Sequence, residues 1–87
     1  MQMPKFMDVH SGLTGVTEEQ LREAHRKDQE VERKAGEEGV VFEKYWADPE
    51  SGKVFCLIDG PNKEAVRRVH ERAGNHPDDI FELKHSG

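Results

Sequence analysis

Four side chains of this 87-residue chain have the type and spacing to hold a metal ion: His10, His25, Asp28 and His70. Asp28 stands in the middle of a helical stripe formed by Leu21, Ala24, Val31 and Ala35. A carboxylate on a buried helix face must be paired, hydrogen-bonded or coordinating something. His25 precedes it by three residues and projects to a neighbouring part of the same surface, so the two form a His-x-x-Asp pair suited to grasping a cation. The same spacing is met by an Asp28 at the edge of the interface, bonded to Arg or solvent. His70 borders a second stripe, Ala65, Val66, Val69 and Ala73, and could meet His25 or Asp28 across the seam between two helices, or simply pack there. His10 lies two residues after Asp8 in an extended run, so both side chains leave one strand face and make a local N/O pair. That pair could hold a metal or shuttle a proton; alternatively His10 bonds into the following turn.

Imidazole nitrogen, carboxylate oxygen and water suit several divalent ions, Ni(II), Cu(II) and Zn(II) among them, and donor chemistry alone does not choose between them. Because imidazole must be neutral to ligate, affinity falls as pH drops through the histidine range. An enzymatic alternative uses the same residues: His10 with Asp8, or His70 with Asp28, could act as general acid and base on a small organic molecule held between sheet and helices. Signatures of commoner chemistries are missing. The chain has no Gly-rich phosphate loop, no His-Glu-x-x-His and no nucleophile elbow. Its one cysteine, Cys56, lies between Phe55 and Leu57 and reads as a small buried hydrophobe. His76 and His85 fall in a loop and a tail.

The elements that must position these residues are legible in order. Residues 5–10 form a short strand that stops at Ser11-Gly12. Thr17 with Gln20 is a capping box that opens a helix, and Gly36 and Gly39 are expected to end it. Residues 40–47 are rich in β-branched and aromatic side chains, Asp48-Pro49-Glu50-Ser51-Gly52 is turn chemistry, and residues 53–58 return as an apolar strand. Phe42 and Trp46 are expected on one face of that hairpin, with Glu43, Tyr45 and Ala47 on the other. Asn62 caps a second helix that ends at Gly74-Asn75, and residues 80–84 make a last strand. The order βαββαβ is the ferredoxin-like α+β arrangement in a single domain, residues 1–87, with two helices on one face of a four-stranded antiparallel sheet.

Composition sets the remaining bounds. Leu, Ile, Val and Phe number eighteen in 87 residues, a thin supply for one core. A sheet with one uncovered face and so little apolar material favours a second copy, and a homodimer is expected. A net charge of −5 disfavours nucleic acid and anionic membrane surfaces as partners. A lone cysteine and the lack of a membrane span or signal-like start point to a cytoplasmic protein.

Four segments taken together resemble a family of small bacterial ferredoxin-like proteins, long known as a domain of unknown function, that includes a nickel-binding member. They are Pro4-Lys5-Phe6-Met7-Asp8-Val9-His10, Ala24-His25-Arg26-Lys27-Asp28, Trp46-Ala47-Asp48 with Gly52 to Leu57, and Val69-His70-Glu71-Arg72-Ala73-Gly74. The resemblance implies an intracellular dimer that binds nickel at surface sites and sequesters or buffers it, with no established enzymatic activity.

Overall fold

The computed structural model describes residues 4–34, 39–85 and 87, with side chains left out at 32–34. The chain runs β1 (Lys5–His10), α1 (Glu18–Lys34), β2 (Val41–Asp48), β3 (Lys53–Asp59), α2 (Lys63–Arg72) and β4 (Asp79–Leu83). All strand pairings are antiparallel and the order across the sheet is β2-β3-β1-β4. This is the expected ferredoxin-like βαββαβ fold. Gly36, expected at the end of α1, lies outside the described residues.

Local chemistry accounts for where the elements begin. The Thr17 amide donates to Gln20 Oε1 at 2.9 Å and the Gln20 amide donates to Thr17 Oγ1 at 3.1 Å, the reciprocal bonds of a capping box. Asn62 Oδ1 accepts from the Ala65 amide at 2.8 Å and caps α2. Gly52 in the β2–β3 turn has φ +76°, and a Cβ there would lie 2.7 Å from the Thr14 amide nitrogen. Only glycine lets the β1–α1 loop dock so closely on the turn, where the Leu13 amide donates to Gly52 O and the Gly15 amide to Pro49 O, each at 2.9 Å.

The core lies between sheet and helices and holds Phe6, Phe42, Val54, Ile58, Val66, Val69 and Ile80. One expectation fails here. Phe42 is buried but Trp46 is 49% exposed, while Tyr45 and Ala47 pack against the core. The cause is a register shift between Phe42 and Lys44, which pair with the adjacent residues Ile58 and Leu57. The extra residue reverses the alternation downstream, so Trp46 faces away from the helices and Tyr45 faces them.

Candidate metal centre

The site grows from β1, which runs between β3 and β4. Phe6, Asp8 and His10 alternate onto its helix-covered side. Asp8 sits opposite Cys56 on one neighbour and Ile80 on the other, and it is fully buried. Helix α2 crosses above and lowers His70 onto it, so the His70 Nε2 meets Asp8 Oδ2. The His70 ring is also fully buried, with edge contacts to Phe42 (centroids 4.8 Å apart) and His10 (5.1 Å). On its other side, His70 Nδ1 lies 3.5 Å from Asp28 Oδ1 on α1. His10 Nε2 completes the cluster at 3.2 Å from Asp8 Oδ1.

A link between the two helices holds Asp28 in place. Gly74, at φ +79°, turns the chain at the end of α2, and the Asn75 amide donates to His70 O at 3.0 Å. The Asn75 side chain then reaches α1, donating to Asp28 Oδ1 at 3.2 Å and to Ala24 O at 3.4 Å.

Burial and charge work against each other in this cluster. Burial alone would lower the His70 pKa, but the carboxylates of Asp28 and Asp8 override it and raise the value from the usual 6.5 to about 9. Burial pushes Asp8 up, yet bonds to His10 and His70 more than offset it and its pKa is lowered. Cys56 is pushed far up by burial, then by the charges of Asp8 and Asp28, and remains a thiol.

The donor set fits a cation. The His10 Nδ1 lies 3.2 Å from the His76 carbonyl, which can only accept, so that nitrogen carries the proton and Nε2 is left facing the Asp8 carboxylate. Nε2 is therefore the ring nitrogen placed to ligate, and a carbonyl that holds the other nitrogen is the usual outer support of a metal-ligating histidine. Both Asp8 oxygens and both His70 nitrogens are buried without a partner in hydrogen-bonding geometry, although they make the ion-pair contacts above. One donor atom from each of Asp8, His10 and His70 lies within 4.8 Å of the others. Donors bonded to one ion at about 2.1 Å lie no more than about 4 Å apart, so a shift of under about 1 Å would bring them onto it.

Three of the four residues singled out in the sequence are thus brought together, His10 and His70 on Asp8 and Asp28 on the other side of the His70 ring. His25 stands apart from them. It is half-buried on the wall of a cleft of about 510 Å³ between α1, the β1–α1 loop and the sheet, where its ring packs on Tyr45 (centroids 5.0 Å apart). Burial lowers its pKa, and the charge of Asp28 offsets this only in part. Two of the four residues expected at surface sites lie inside the molecule: Asp28 is 3% exposed and His70 not at all. Asp8 is the hub, and its place two residues before His10 was the sequence signal for it. Asn75 gave no such signal, because its role depends on α1 and α2 lying side by side.

A ferredoxin-like domain with a buried His/carboxylate cluster under its helices is the class that fold and site define. The chain belongs to the SCO4226-like family of nickel responsive proteins, whose family model matches residues 6–83. It is similar to the crystal structure of SCO4226 from Streptomyces coelicolor A3(2), with 52% identity, a TM-score of 0.89, and coverage of 95% of this chain and 99% of that one. No curated protein sequence matches the chain. No helix among the described residues is long and apolar enough to cross a membrane.

Proposed function

We propose that this protein binds a divalent metal ion, nickel in its cellular setting, as reversible cargo, and that Asp8, His10 and His70 are the protein's donors. The observation that carries this reading is that one donor atom from each of these residues lies within 4.8 Å of the others, the Asp8 and His70 atoms being buried without hydrogen-bond partners, beside a second buried carboxylate, Asp28. A divalent ion would neutralise the two carboxylates and replace the protons now held between acceptors. His25, next to the site, is an accessory group at its mouth. Copper and zinc suit the same donors, so the restriction to nickel rests on the family and on which metal the cell supplies. The role we assign is storage or buffering of the metal in the cytoplasm, which the family's nickel response supports.

The working form in this reading is a homodimer joined through the uncovered sheet face. That face presents Met7, Val9, Trp46, Phe55, Leu57 and Phe81, paired across the strands, with Trp46 and Phe81 about half exposed. Exposed Lys44 and Lys53 and exposed Asp48 and Asp79 carry both signs of charge around it, as a self-complementary interface requires.

Calorimetric titration of metal-free protein with Ni(II), Cu(II) and Zn(II) tests the site. His10→Gln, which keeps a polar side chain at the least buried donor, should weaken binding by about tenfold or more. Binding by this variant as tight as that of the unaltered protein would sink the assignment.

A further inference from the structure

Three protein donors leave an ion with the usual octahedral preference of nickel about three positions short. Waters alone would need only about 30 Å³ each. Beside the cluster, however, the structure holds a cleft of about 510 Å³ that has His10 and Asp28 in its wall. This is the size range of sites for small organic molecules. Its lining is divided. Leu13, Val16 and Leu21 supply apolar side chains, while Gln20, His25 and Tyr45 supply polar groups. His25 Nδ1 is buried without a hydrogen-bond partner.

We propose that this cleft takes a small organic chelator, a molecule with two adjacent oxygen or nitrogen donors on a compact apolar body, which completes the coordination of the metal held by Asp8, His10 and His70. The inference rests on the metal-binding reading above and names what enters with the metal. The chelating end faces His10 and Asp28, the apolar body lies against Leu13, Val16 and Leu21, and His25 hydrogen-bonds the donor end. Charge narrows the class further. The carboxylates of Asp8 and Asp28 already balance a divalent ion, so the site takes a neutral or singly charged chelator and rejects a polycarboxylate.

The test loads the protein with Ni(II), removes free metal by dialysis, and titrates it by calorimetry with isovalerohydroxamate, acetohydroxamate and citrate, with metal content followed in the protein fraction. Isovalerohydroxamate should bind the loaded protein about tenfold or more tighter than the metal-free protein, and tighter than acetohydroxamate, with nickel retained. Citrate should not bind the loaded protein. Val16→Phe, and independently Ala24→Leu, should fill the cleft and abolish the difference between the two hydroxamates while nickel uptake persists. The inference is overturned if isovalerohydroxamate strips the nickel, if the two hydroxamates bind alike, or if the filled variants keep the difference. A protein that takes up no nickel with or without chelator overturns the metal reading itself, which separates that failure from this one.

Discussion

Each face of the sheet carries some residues of the kind usually found on the other. Under the helices, where apolar packing is expected, β1 places Asp8 and His10, and α2 adds His70. On the uncovered side, where polar residues are expected, the same strand places Met7 and Val9 among Trp46, Phe55, Leu57 and Phe81. A strand's alternation fixes only that neighbours face opposite ways. Which set is covered depends on the partner layer. Burying polar groups on the inner face is costly, and the outer face leaves an apolar patch exposed, which is what the proposed metal site and the proposed dimer would each explain.

The contrast can be broken from the inside most severely. Asp8→Asn leaves the buried His70 imidazolium with Asp28 alone and should destabilise the metal-free protein by about 3–5 kcal/mol, read by urea unfolding near neutral pH. The same change should reduce nickel affinity far more than His10→Gln does. A variant as stable as the unaltered protein would mean that the buried pair carries no weight.

The pH dependence of the metal-free protein is the next largest effect. The folded-state pKa of His70, about 9, lies above the unfolded value of 6.5, so its contribution is fully present below about pH 6.5 and is lost as pH rises through about 9. Stability should therefore fall across that window, by roughly 3 kcal/mol at the high end. For Asp8, whose pKa is lowered, the sign is opposite: its contribution is present above the ordinary carboxylate value and disappears in stronger acid. A stability profile flat from pH 6.5 to 9 would contradict the charge assignment of His70.

From the outside, Phe81→Glu puts a charge on the half-exposed β4 edge of the apolar face. It should leave the folded monomer intact and weaken self-association by about a hundredfold, a change visible by sedimentation. Unchanged association would move the interface elsewhere. The smallest effect is expected for Asn75→Ala, which removes the bonds to Asp28 and Ala24 O and should cost about 1 kcal/mol while loosening the positions of Asp28 and His70.

Much of the fold was legible because its signals are local. Thr17 with Gln20, the Asp48-Pro49-Glu50-Ser51-Gly52 turn and the Asn62 cap each declare an element boundary within a few residues. The bulge between Phe42 and Lys44 was not legible, since one extra residue in a strand leaves no compositional trace, and it reversed the facing of Trp46 and Tyr45. Asp28 stood out because it interrupts an apolar stripe. His70 looked like a border residue because helical periodicity says nothing of the sheet beneath, and it is buried by a carboxylate far away in sequence. The depth of the site was hidden for the same reason. Residues that read as surface ligands one helix at a time become an interior cluster once β1, α1 and α2 meet.

The most direct measurement is an anomalous difference map at the nickel absorption edge from crystals soaked in Ni(II). The account predicts one strong peak per chain within bonding distance of His10 Nε2, a His70 ring nitrogen and an Asp8 oxygen. A peak confined to surface groups such as His76 or His85, with the Asp8 cluster empty, would contradict it.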